Sequence, residues 1–193
     1  MAYLASALAL SPEEKDDLSK IETYLNGVLT LKSRFIQTSS DGEIVEGDFY
    51  LSRPGKMRFE YDPPSPILLI ANGFFVIYVN NQAEQVTHIP IRNTPLRLLL
   101  ERDVNLREFY VVNFVKRGHG TLTLMLSTKD DSNGGRVKLF FSDNPVALRQ
   151  WFIRDAQGVE IRVSLLGVER GLSFDPRLFQ LDVEDFDDVE ATR

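Results

Sequence analysis

The apolar residues of this chain come in short alternating runs closed by turn residues, a pattern that admits an antiparallel sheet and little else. It is clearest from Gly47 to Pro64, G-D-F-Y-L-S-R-P-G-K-M-R-F-E-Y-D-P-P. Phe49 and Leu51 alternate with Asp48, Tyr50 and Ser52; after the turn, Met57, Phe59 and Tyr61 alternate with Lys56, Arg58 and Glu60. Each strand therefore has an apolar face and a wetter one. Between them Arg53-Pro54-Gly55-Lys56 has the chemistry of a type II turn, with Pro where φ is preset and Gly where it must be positive. Counting by twos from Phe49 and Leu51 puts Arg53 on the apolar face. Such a guanidinium either snorkels to water at the turn or reaches carbonyls at a helix end or neighbouring loop.

The same punctuation runs through most of the chain. Ser11-Pro12-Glu13-Glu14 is a capping box with Pro at the first helical position; Leu18, Ile21, Leu25 and Val28 recur at helical spacing, and Asn26-Gly27 can end the helix. Strands are expected over 29–38, 43–52 and 56–61. After Pro63, Pro64 and Pro66, runs over 67–71 (with Leu69) and 74–79 are joined at Asn72-Gly73, a two-residue hairpin signal, and are apolar on both faces. A further short strand is expected over 85–89. Thr94-Pro95 repeats the cap-plus-Pro signature and opens a second helix carrying Leu96, Leu99 and Leu100. A meander follows over 109–116, 121–127, 136–141, 148–154 and 159–166. Leu122, Leu124 and Leu126 share a face, as do Val137, Leu139 and Phe141, and Val159, Ile161, Val163 and Leu165. Trp151 shares a face with Ile153 and reads as core.

With about eleven strands, two helices and no βαβ alternation, the expected class is mainly β (α+β). The expected architecture is a half-open antiparallel β-barrel with an α-helical lid filling the concave face. At 193 residues this is one domain. Its expected extent is 11–181, after a start (1–10) that fits either a signal-peptide remnant or a frayed N-terminus and before an acidic tail (182–193).

Chemistry is mostly excluded. A net charge of −6 argues against nucleic acid, and the absence of cysteine removes thiol catalysis, disulfides and thiolate metal sites. His88 and His119 lie in separate hairpins with no nucleophile elbow, and no zinc, EF-hand, Walker or dinucleotide signature is present. Asp48, Glu60 and Asp62 are close enough in sequence to suggest paired carboxylates, although strand-edge charges facing water are the simpler reading. An esterase built on Ser52 or Ser65 near Asp62 lacks a histidine. No enzyme activity, cofactor or metal is expected, and no apolar run reaches the roughly 20 residues that span a bilayer.

R-F-I-Q at Arg34 to Gln37, E-G-D-F-Y-L-S-R-P-G-K-M-R-F-E-Y from Glu46, the Asn72-Gly73 hairpin, N-T-P-L-R-L-L-L from Asn93 and L-R-Q-W at Leu148 together resemble the LolA family of outer-membrane lipoprotein carriers. The resemblance implies a monomeric periplasmic chaperone. It would take acylated lipoproteins from an inner-membrane ABC-type transporter and pass them to an outer-membrane receptor. It makes Arg53 the latch of the lid helices, with Leu18, Ile21, Leu25, Thr94 and Pro95 in those helices. Phe35, Phe49, Leu51, Met57, Phe59, Leu69, Leu96 and Leu99 are the expected cavity residues, Met57 at a position important for accepting lipoprotein. Phe59 stands where the family has Trp, and the extension after Phe179 departs from the family pattern. A sensor or a lipid or glycolipid carrier on the same fold is the alternative.

Overall fold

The computed structural model describes residues 10–94, 97–129, 136–154 and 158–181. The acidic tail, the first nine residues, Pro95, Leu96 and the Asn133-Gly134-Gly135 turn lie outside them. Helix α1 spans Pro12–Gly27. Its capping box forms as the sequence specifies: the Glu14 amide donates to Ser11 Oγ (3.2 Å) and the Ser11 amide to Glu14 Oε2 (2.7 Å). The helix ends where Val28 turns extended.

Eleven strands follow: β1 (Thr30–Ser39), β2 (Ile44–Ser52), β3 (Lys56–Tyr61), β4 (Ile67–Asn72), β5 (Phe75–Asn80), β6 (Gln85–Pro90), β7 (Tyr110–Arg117), β8 (Thr121–Thr128), β9 (Arg136–Asp143), β10 (Val146–Arg154) and β11 (Glu160–Arg170). They form one sheet in the order β6-β5-β4-β3-β2-β1-β11-β10-β9-β8-β7, and every pair is antiparallel. The sheet does not close, since β6 and β7 are its two edges. The first strand meets the last in the middle, Phe35 opposite Leu165 and Gln37 opposite Val163. Flat, such a sheet would be about 50 Å wide. Residues from β1 to β5 and β7 to β11 nevertheless belong to one buried cluster with α1, so the sheet is curved around the helix.

Between the two edges the chain runs through a 3-10 turn, η1 (Ile91–Asn93), and two single-turn helices, α2 (Arg97–Leu100) and α3 (Leu106–Phe109). The second helix expected from Thr94-Pro95, a short one, is a single turn at Arg97–Leu100. Thr94 turns back, its hydroxyl donating to Ile91 O (2.9 Å), so it closes η1. Phe109, expected to open a strand, ends α3 instead, because Asn105 caps a turn of helix through the Glu108 amide.

The two tight turns also differ from expectation. Gly55 has the expected positive φ of +78°, but Ser52 pairs with Lys56, leaving a three-residue loop with a cis Arg53–Pro54 bond in place of a type II turn. Asn72-Gly73 is not a two-residue hairpin. Ala71 and Val76 are the last pair, and Asn72 Oδ1 accepts from the amides of Phe74 and Phe75 across a wider loop.

On the convex face a second small core, Leu68, Ile70, Ile77 and Val79, packs against Leu181. This explains why β4 and β5 are apolar on both faces. The covering segment is 174–181, which includes η2 (Pro176–Phe179). It also overturns the wet-face reading of Arg58, which is buried and donates to Glu60 Oε1 (2.6 Å) and Leu178 O (3.3 Å).

Candidate ligand-binding interior and its lid

The concave face is floored by aromatic rings. Phe35, Phe49, Met57 and Phe59 are at most 2% exposed, and Leu51 is 3% exposed. Phe59 lies 4.5 Å from Phe49, 5.1 Å from Phe35 and 6.2 Å from Trp151, centroid to centroid, with Phe49 5.7 Å from Trp151. Phe35 reaches this cluster across Gly47, which faces it on β2. A Cβ on Gly47 would stand 1.9 Å from Glu60 O and 2.8 Å from the Phe35 ring, so the floor needs glycine there. Leu69 packs at the periphery, half-buried.

Leu18, Ile21, Tyr24 and Leu25 of α1 and Leu98, Leu99 and Leu100 of α2 fill the space above the floor. Among the described residues they leave a cavity of about 10 Å³ lined by Tyr24, Leu25, Val28, Leu31, Phe49, Leu51, Arg53, Leu99, Leu148 and Leu165. That is at the threshold for one water molecule, far below the room an acyl chain needs.

Arg53 sits where the two helical pieces meet. Its Nε donates to Leu99 O (2.8 Å) and its Nη1 to Leu25 O, joining the ends of α2 and α1. These are carbonyls a helix terminus leaves without intrahelical donors, and a cation there complements the negative end of the dipole. Burial pushes the guanidinium below its ordinary value, with Glu101 opposing the shift. The same turn makes a third contact: the Gly55 amide donates to Leu100 O (2.8 Å). The inward arginine read from strand parity therefore lies among carbonyls of both helices. Of the other expected lid residues, Thr94 is half-buried, and Pro95 and Leu96 lie outside the described residues.

Several polar groups of the lid were missed in the sequence. Asn26 pairs with the Val104 backbone in both directions (3.0 and 2.8 Å), and Glu22 Oε1 accepts from the Leu106 amide (2.8 Å), so α1 is tied to the α2–α3 segment. Asp17, 5% exposed, accepts from Arg117 of β7, which also donates to Asp143 of β9. Asp17 precedes Ile21 by four residues and Tyr24 by seven, so parity on the helix would have flagged it as it flagged Arg53. Glu101 is paired with Arg97 (2.7 Å), but its Oε2 is buried without a hydrogen-bond partner among the described residues.

The carboxylates that suggested acid–base chemistry are bound to arginine. Arg34 bridges Asp48 and Asp62, and its hydrogen bond holds the Asp62 carboxyl below its ordinary value. Glu60 is held by Arg58. His88 and His119 are exposed on the β6 strand and the β7–β8 turn.

The family model described as "Outer membrane lipoprotein carrier protein LolA" matches residues 26–182. This chain belongs to the LolA family. A relative from Azotobacter vinelandii, named outer-membrane lipoprotein carrier protein, is 31% identical, covering 96% of this chain and 94% of its own. One of the same name from Methylococcus capsulatus is 27% identical over 88% of this chain and 85% of its own. Among solved structures, a LolA superfamily protein from Nitrosomonas europaea superposes with a TM-score of 0.51 at 8% identity, covering 90% of this chain and 99% of that one. A conserved protein from Thermus thermophilus does so with a TM-score of 0.51 at 12% identity over 90% and 96%. These two likenesses speak to the fold. It is the half-open, lidded antiparallel architecture expected from the strand pattern. No helix among the described residues is long and apolar enough to cross a membrane.

Proposed function

We propose that this protein is a non-enzymatic, monomeric periplasmic carrier that binds the acyl chains of lipoproteins released by an inner-membrane ABC-type transporter and delivers them to an outer-membrane receptor. The observation that carries the reading is the way the apolar interior is covered. Short helical pieces close it, and Arg53 hydrogen bonds join their ends. Moving α1 and α2, with Leu99, away would leave Phe35, Phe49, Leu51, Met57 and Phe59 as an open apolar wall, with Leu69 at its rim. Arg53 acts as the latch of the closed form.

The energetics suit a carrier. Each acyl methylene taken out of water is worth about 0.8 kcal/mol, so long chains do not cross an aqueous compartment unaided. Loading, however, strips the helices of the contacts they make in the closed state, and that loss subtracts from the gain. The protein can therefore shelter acyl chains without holding them irreversibly.

The test is mass spectrometry of the protein taken from a periplasmic extract. Co-purifying acylated lipoprotein is expected; a different lipid class would overturn the cargo assignment, and an empty protein under loading conditions the carrier role.

A further inference from the structure

Glu101 ends α2 beside the latch, and half of its carboxylate lacks a partner. Its amide donates to Arg97 O (3.1 Å), which places it at the close of the helical turn. Oε1 accepts from Arg97 Nε (2.7 Å) and from the Tyr110 hydroxyl (3.4 Å). Oε2 is buried and meets no hydrogen-bond donor among the described residues. A buried carboxylate oxygen in that position is costly when charged, and protonation relieves the cost, because a neutral carboxyl loses less on leaving water.

The groups that act on this carboxyl come from three elements: Arg97 of α2, Tyr110 of β7 and Arg53 of the β2–β3 turn. Tyr24 of α1 acts on Arg53 and lines the cavity with it. Glu22 of α1 is taken up by the Leu106 amide, and Arg92, Arg102, Asp103, Arg107 and Glu108 of the crossing are exposed. The guanidinium groups stay charged, and burial pushes the Tyr110 phenol up, so it stays neutral. Among Arg97, Tyr110, Arg53 and Glu101, only Glu101 changes charge between neutral and mildly acidic pH.

The backbone ties this carboxyl to the latch. Leu99 and Leu100, the two residues before it, supply the carbonyls held by Arg53 and the Gly55 amide. α2 cannot lift from the β2–β3 turn without drawing Glu101 away from Arg53 and Tyr110, which belong to the sheet. Arg97 travels with it on the same helical turn. Once lifted, the carboxyl meets water and keeps its arginine, so its preference for the proton is lost.

We propose that Glu101 is a proton switch on the lid: protonated, it favours the closed form, and opening to admit an acyl chain expels the proton. The ligand named here rests on the carrier reading above. Linkage runs both ways, so acid favours the closed, empty protein and bound acyl chains favour the ionised carboxyl. A carrier built in this way loads less readily, and unloads more readily, as pH falls.

The test uses the full, lipid-free chain and a neutral naphthylamine dye as the acyl probe, from neutral pH down toward 4.5, the ordinary value of this carboxyl. Wild-type affinity should fall with pH, by at most about tenfold for each pH unit, because a single proton is exchanged. Glu101→Gln, nearly isosteric and a permanent mimic of the protonated form, should bind at every pH as weakly as the wild type does in acid, with unchanged circular dichroism. An affinity that ignores pH, or a slope that survives the substitution, overturns the proposal. A second measurement needs no ligand. The Glu101 carboxyl carbon, assigned by its loss in Glu101→Gln, is followed by NMR in the wild type and in Arg53→Lys, which keeps the cation but cannot span Leu25 O and Leu99 O. It should titrate above 4.5 in the wild type and closer to 4.5 in the variant. Equal midpoints overturn the coupling whatever the cargo proves to be, and unequal ones uphold it even if lipoprotein never co-purifies.

Discussion

In the proposed carrier cycle Arg53 is the latch, since it hydrogen-bonds the ends of both α1 and α2. Hydrogen bonds from a charged donor contribute about 1.5–3 kcal/mol each. Arg53→Leu leaves Leu25 O and Leu99 O without that donor. The closed form should then lose about 3 kcal/mol, roughly a hundredfold in its ratio to the open one. The variant is expected to take up acyl chains and release them poorly to the receptor; normal transfer by purified protein would remove the latch role. Met57, fully buried between Leu51 and Ala71, gives a second test. Met57→Glu places an unpaired carboxylate on the apolar wall and should block loading, with Met57→Leu as a control that loads normally. Glu101 supplies a third, read by pH. Burial raises its carboxyl above the ordinary 4.5, against the pull of Arg97, Tyr110 and Arg53. The folded state then holds the proton to higher pH than the unfolded chain, so stability falls as pH rises from 4.5 through the raised value and levels off above it. Asp62, held low by Arg34, has the opposite slope, and only below its ordinary 3.8. Thermal melting across this range should show the decline, and Glu101→Gln should flatten it. A decline that survives the substitution belongs to another group.

At the level of elements, the lid is one body with two attachments. Asn26 and Glu22 bind α1 to the 104–106 backbone, Arg53 holds the C-terminal end of α1, and Arg117 holds Asp17 nearer its N-terminus. Releasing Arg53 alone therefore leaves α1 anchored at Asp17, which makes that ion pair the natural pivot for opening. Asp17→Asn should lower the melting temperature by a few degrees and weaken discrimination between closed and open lids, seen as increased binding of a hydrophobic dye. Since the chain has no cysteine, a disulfide between Asn26→Cys and Val104→Cys tests the other half of the idea cleanly. If α1 and the 97–109 segment move together, the cross-linked protein loads as well as the reduced one. Loss of loading on oxidation would show that they must separate.

At the scale of the molecule, the fold is a curved sheet built outward from its centre in two arms, with the chain crossing the open side once, between β6 and β7. The α2–α3 part of the lid lies on that crossing, and α1, from the start of the chain, is tied to it through Asn26 and Glu22. Strand alternation, the positions of the turns though not their types, the capped helix and the parity of Arg53 were legible in the residues, because each depends on neighbours a few positions away. So was the aliphatic stripe of β8, β9 and β11. Features that depend on distant partners were not legible. Arg58 reads as a wet-face residue until the segment around Leu178 folds across the convex side, 120 positions later. Thr94-Pro95 reads as the cap of one short helix, yet Thr94 closes η1 and the crossing breaks into a 3-10 turn and two single-turn helices as it bridges the two sheet edges. Glu101 looks like an ordinary surface acid until the β2–β3 turn brings Arg53 beside it. Local periodicity decides which face of an element is apolar. Long-range packing alone decides what covers that face and which buried charge must find a partner there, since burial and electrostatic pairing are properties of the assembled whole.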